Sequence, residues 1–173
     1  MPELYPDEQQ VSDGINLLIS MLVRYPEIGT INFDPEADSL KLTFMIAGLP
    51  PIPDFEAAKQ LLIHSISAYH LLEGITDSRI AVELSSYDQV AMVTVRRDVH
   101  TMSRGEISLT IKLLRDRFAD RLVADRNDTM LEEELLLQEE VIEDMLENMR
   151  KKDYDNHSLI GIREDGRVFV FNK

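Results

Sequence analysis

The chain has 173 residues, no cysteine and a formal net charge of −14 from 18 basic and 32 acidic side chains. A chain of this size buries roughly 70% of its unfolded surface, so one domain with a full core is expected. The absence of cysteine excludes disulfide frameworks, thiolate nucleophiles and cysteine-ligated metals, and the charge opposes binding to nucleic acid. The start, MPELYPDEQQ, is acidic where a secretion signal would be basic and apolar, and no run of about 18 apolar residues is present. A cytosolic protein that neither enters a membrane nor binds nucleic acid is the expectation.

From Asp7 to Tyr25 the apolar residues Val11, Ile15, Leu18 and Leu22 recur at helical spacing, with Gly14 weakening the helix and Pro26 ending it. The period then changes to two at Ile31 and Phe33, and again at Leu40, Leu42, Phe44 and Ile46, which predicts a hairpin with a polar loop. Gly48 to Pro53 reads as an extended connector. A second helix is predicted from about Asp54 to Glu73, with Phe55, Ala58, Leu62, Ile66, Tyr69 and Leu72 inward and Gly74 past its end. Its hairpin follows, Ile80 to Leu84 out, a turn over 85–89, and Val90 to Arg96 back. That returning strand is apolar on both faces, so it is expected to lie inside a sheet.

Ser103 and Glu106 form a capping box for a third helix with Ile107, Ile111, Leu114 and Phe118 inward. Thr129 and Glu132 do the same for a fourth, running to about Lys152. Asp165-Gly166 suits a type I′ turn in a last hairpin over 158–172. The fold expected is α+β: antiparallel hairpins forming a sheet covered by helices, in the order α-ββ-α-ββ-α-α-ββ, with helix–hairpin units at about 7–47 and 54–96 and a helical segment at about 103–152. The last hairpin alternates Val168, Val170 with Phe169, Phe171, so burial of both its faces is expected, inside the sheet or swapped across a dimer.

Charge is distributed unevenly: residues 1–95 carry −10, residues 96–126 carry +3 and residues 127–173 carry −7. The acidic fourth helix is expected to pack beside the basic third, within a subunit or between two. Its Leu131, Leu135, Gln138, Ile142, Met145 and Met149 make a heptad seam, and Leu136, Leu137, Val141 and Leu146 widen it. A helix apolar on two sides needs two partners, so Leu131, Leu135, Ile142, Met145 and Met149 are the candidate homodimer interface. The alternative is a monomer with this helix sandwiched in its core.

The residues that could carry chemistry are few. Arg96, Arg97, Lys112 and Arg115 are candidates for an anion site, and Asp98, His100 and Glu106 are weak candidates for a metal site that is not favoured. His64 and His70 are six apart and cannot pair on one helical face. Asp34, Glu36 and Asp38 start like a calcium loop, but Ser39 and Met45 stand where Gly and Glu are required. Pro50 to Pro53 matches P-x-x-P only formally. No Gly-rich nucleotide loop and no G-x-S-x-G is present, and no cofactor is implied. In general character the chain is similar to bacterial secretion chaperones and related effector-binding modules. The likeness is one of class and charge with no motif behind it, and that group would have a longer strand run after the first helix. Two functions follow: a non-enzymatic interaction module (an adaptor, a regulator or a chaperone-like homodimer) whose acidic surface selects a basic protein or peptide, or a small-molecule or anion-binding domain, with or without enzymatic activity, using the basic 96–121 segment.

Overall fold

The computed structural model describes residues 6–125, 130–151 and 158–172. Four helices and three hairpins follow one another as α1 (Pro6–Arg24), β1 (Ile28–Asp34), β2 (Ser39–Ala47), α2 (Ile52–Leu72), β3 (Ile80–Tyr87), β4 (Val90–Asp98), α3 (Arg104–Phe118), a 3-10 turn (Ala119–Arg121), α4 (Glu132–Lys151), β5 (Leu159–Glu164) and β6 (Arg167–Asn172). This is the expected α+β order. The strands form one antiparallel sheet in the order β3-β4-β2-β1-β5-β6, so each hairpin enters it as a unit.

Local chemistry accounts for most boundaries. α2 begins at Ile52, two residues before the expected start, because Pro53 lacks the N–H that a first turn leaves unused anyway. It ends in a Schellman motif: Gly74, at φ +69°, donates to Leu71 O and Ile75 donates to His70 O. Its buried stripe, Phe55, Ala58, Leu62 and Ile66, runs on in steps of four to His70, which leaves Leu72, expected inward, exposed. The capping box is formed, with the Ser103 side chain and Glu106 satisfying each other's backbone donors. The corresponding box of α4 begins at Thr129, outside the described residues. β3 runs to Tyr87, so the turn to β4 is tighter than expected, and the last hairpin turns at Asp165 and Gly166, both at positive φ.

The helices cover one face of the sheet. Across the six strands the row Val82–Val95–Leu42–Ile31–Gly161–Val170 faces them and is buried except for the half-buried Val170 at the edge. α1 lies on β1, β5 and β6, α2 lies on β3, and α3 packs against α2. Gly14 is explained by close approach: a Cβ there would stand 3.0 Å from Leu159 Cδ1. Gly161 is tighter still, since its Cβ would meet the buried Leu22 Cδ1 at 2.9 Å. Gly161→Ala is therefore expected to cost about 1–3 kcal/mol, read from urea unfolding. Arg163 locks the same junction by donating to the carbonyls of Leu22, Tyr25 and Ile28 where α1 gives way to β1.

Of the two arrangements expected for α4 and α3, within a subunit or between two, the first is corrected. α4 lies along α1, burying Ile142, Leu146 and Met149, and only grazes α3. The link carries it there: Leu122 bridges to Ile46, Val123 N donates to Met45 O and Asp125 N donates to Pro26 O, so the chain crosses the end of β2 and returns at the foot of α1. Glu139 of α4 is consequently paired with Arg24 of α1 at 2.7 Å as well as with Arg104 of α3 at 3.4 Å. No helix among the described residues is long and apolar enough to cross a membrane.

Candidate functional site

Side chains alternate across each strand, so covering one face leaves the other open. Two adjacent rows on it are Ala81–Arg96–Lys41–Asn32–Ile160–Phe171 and Glu83–Thr94–Thr43–Thr30–Ile162–Phe169. Apart from Thr43 these residues are half-buried or exposed. β4 is internal, as expected, but Val90 and Met92 belong to this open face and are only half-buried.

Within the single chain the last hairpin ends the sheet, so its closing strand is at the rim and not in the middle of the sheet. Val168 and Val170 face α1, while Phe169 and Phe171 are 37% and 50% exposed on the open face. Their rings stack on each other at 6.2 Å with 12° between planes, the i, i+2 neighbours of one strand face. The described hairpin, 158–172, carries Arg163 and Arg167 against Glu164 and Asp165, and so is neutral in a chain of −14. The opposite edge, β3, differs. It is bordered by Asp77, Glu83, Asp88 and Glu56 against the single cation Arg79, and by a groove of about 330 Å³ lined by Leu49, Ile52, Phe55 and Leu84.

Of the five residues expected at an interface, Ile142 and Met149 are core residues of this chain, Leu135 and Met145 are half-buried, and Leu131 is 63% exposed. The exposed apolar surface of α4 is instead Leu131 with Leu136 and Leu137, interleaved with Glu132, Glu133, Glu134 and Glu140. Sequence spacing found the apolar helix but could not say which of its stripes α1 would take.

The four basic candidates do not converge. Arg96 is exposed on the open face. Lys112 and Arg115 line a separate cleft of about 360 Å³ between α3 and the end of α1, where Arg115 is paired with the buried Glu27. Arg97, on the covered face, is 1% exposed and fully engaged. Its Nε and Nη2 donate to the two Glu106 oxygens at 2.6 and 2.8 Å, its Nη1 donates to Asp98 and to Arg79 O, and Nη2 also reaches Thr101 Oγ1 and His70 Nε2. A guanidinium spent in this way has no donor left for an external anion.

The same cluster accounts for the metal candidates. Asp98 and Glu106 both serve Arg97, while His100 is half-exposed and stands 3.5 Å from Asp38. Among the described residues no group of three or more His, Asp or Glu is placed to hold a metal ion. Burial pushes the Asp98 carboxyl up, but hydrogen bonds from Thr101 and the Arg79 amide, with the Arg97 charge, outweigh it and hold Asp98 below the ordinary carboxylate value. A lowered folded-state value means that this stabilisation is complete above the unfolded carboxyl pKa of about 3.9 and is lost as pH falls through the folded value. The stability gap between wild type and Asp98→Asn, from urea melts at stepped pH, is therefore expected to be constant near neutrality and to close below about pH 4.

The place of His70 in this cluster was not legible in the sequence. His70 of α2 sits between Ser78, at 2.9 Å from Nδ1, and Glu106, at 3.3 Å from Nε2. The clue available was the four-residue step of the buried α2 stripe, which ends on a histidine. Comparison of the chain with family models, with curated proteins and with solved structures returns no match.

Proposed function

We propose that the chain is a non-enzymatic cytosolic interaction module, a homodimeric adaptor whose subunits join edge to edge at β6 and whose acidic helical surface receives a basic partner. The observation that carries this reading is the terminal strand. β6 ends the sheet with exposed Phe169 and Phe171 and with its outer backbone groups unpaired among the described residues. Sheet edges of this kind are normally blunted by charge, proline or a covering element. Here the alternation of Val and Phe runs almost to the end of the chain.

Electrostatics selects this edge for self-association. Two copies at −14 repel each other, and α4 against α4 or β3 against β3 would bring like charges together. The β6 hairpin with Lys173 carries only +1. A two-fold register centred on Val170 sets Phe169 opposite Phe171 of the partner subunit, twice, and aromatic cross-strand pairs are among the favourable ones. The acidic surface stays outward, with Leu131, Leu136 and Leu137 among the glutamates of α4 offering apolar contact to a basic helix or peptide.

Light scattering across a micromolar concentration series tests the reading. A mass near 40 kDa, twice the 19.9 kDa chain, is expected at the upper end. Added salt is expected to favour the dimer by screening the net repulsion. A mass that stays near 20 kDa throughout removes the reading.

A further inference from the structure

The open face holds a feature that self-association does not use. Arg96 of β4 and Lys41 of β2 are directly opposite each other in the antiparallel ladder, and Asn32 of β1 is directly opposite Lys41 on the other side. Like charges in that position destabilise a sheet. Neither cation takes part in a salt bridge or hydrogen bond among the described residues. The side-chain oxygen of Asn32 is buried without a hydrogen-bond partner. Because this oxygen is shut off from solvent, the part of Asn32 that can serve a ligand in the groove is its amide NH2, a donor. These residues line one groove of about 410 Å³ together with Arg79 and two carboxylates: Asp34, which accepts from the Glu36 and Ala37 amides, and Asp98, which is held by Arg97, Thr101 and the Arg79 amide.

The carboxylates of this groove are engaged with turn amides and with Arg97, which leaves the facing Arg96 and Lys41 unmatched. We infer that Arg96, Lys41 and Asn32 form a binding site for the oxyanion group, carboxylate or phosphate, of a small organic acid whose apolar part lies along the same row toward Ile160. An oxyanion between the two cations removes their repulsion and takes charge-assisted hydrogen bonds from both, with the Asn32 amide as a third donor. Beyond Asn32 the row turns apolar. Ile160 is two strands from Lys41, roughly 10 Å at the usual strand spacing, so a ring attached to the bound group lies over Asn32 with its far edge toward Ile160. The site lies on interior strands, so it stands or falls independently of the β6 edge.

Titration calorimetry with inorganic phosphate, phenyl phosphate and benzoate tests it, using wild type, Arg96→Gln and Lys41→Gln. Phenyl phosphate is expected to bind about tenfold or more tightly than inorganic phosphate, from the apolar surface the ring covers. Each substitution is expected to weaken phenyl phosphate by at least about tenfold, the loss of one charged hydrogen bond. The stronger of benzoate and phenyl phosphate identifies the head group. Thermal melts guard against unfolding: without added anion Arg96→Gln is expected to melt no lower than wild type, since it relieves a repulsion, and phenyl phosphate is expected to raise only the wild-type midpoint. Binding of neither organic acid, or binding that both substitutions leave unchanged, overturns the site. Equal affinity for phenyl and inorganic phosphate overturns the apolar extension toward Ile160.

Discussion

Arg97→Met is expected to lower the unfolding free energy by about 3–5 kcal/mol, the cost of leaving buried carboxylates without their cation. Arg97 ties three elements together: Glu106 at the start of α3, Asp98 at the end of β4 and His70 in the last turn of α2. Burial alone would make the Arg97 guanidinium easier to deprotonate, but the hydrogen bonds and charges of Glu106 and Asp98 more than reverse this, so the group stays charged. Methionine fills the same space and supplies no donor. Glu106 would then keep its hydrogen bond to Ser103 N while its charge, 2% exposed, lost its neutralising partner. Adding Glu106→Gln and Asp98→Asn to Arg97→Met is expected to recover part of the loss, because no lone charge then remains inside. Urea unfolding of the single and triple variants measures both effects. A loss under about 1 kcal/mol for the single variant would mean that water reaches the cluster.

The second large effect concerns assembly. With Phe169→Asp and Phe171→Asp together, the dimer is expected to dissociate, its Kd rising at least about 100-fold, as four carboxylates replace the aromatic pairs across the two-fold axis. Both side chains are substantially exposed in the single chain, so each subunit is expected to keep its fold, with Val168 and Val170 still against the core. Leu136→Asp with Leu137→Asp on α4 serves as the opposing control. These exposed residues lie away from β6, and the mass by light scattering is expected to be unchanged.

The element order was readable because each helix has a strong 3.6-residue stripe and each hairpin a two-residue alternation, with Ser103, Gly74 and the Asp165-Gly166 pair marking ends. What escaped was the assembly of elements. The apolar residues of α4 declared that it must be covered, but its partner, α1, was set by backbone contacts of Val123 and Asp125 that no side-chain pattern encodes. The alternation of Phe169 and Phe171 was visible, yet the same pattern fits an interior strand and an unpartnered edge. The basic segment misled for a related reason. Arg96 and Arg97 are neighbours in sequence but point to opposite faces, one toward Lys41 on the open side and one into a buried cage of carboxylates. Lys41 and Asn32 come from strands remote in sequence, so their conjunction with Arg96 exists only in the folded sheet.

Amide hydrogen exchange along β6, followed as a function of protein concentration, probes the proposed junction most directly. The N–H groups of Arg167–Asn172 that point away from β5 are expected to be protected in concentrated protein and to exchange freely on dilution, while those bonded to β5 change little. Outward amides that exchange freely at every concentration, in a sample whose β5-bonded amides remain protected, would contradict the edge-to-edge dimer.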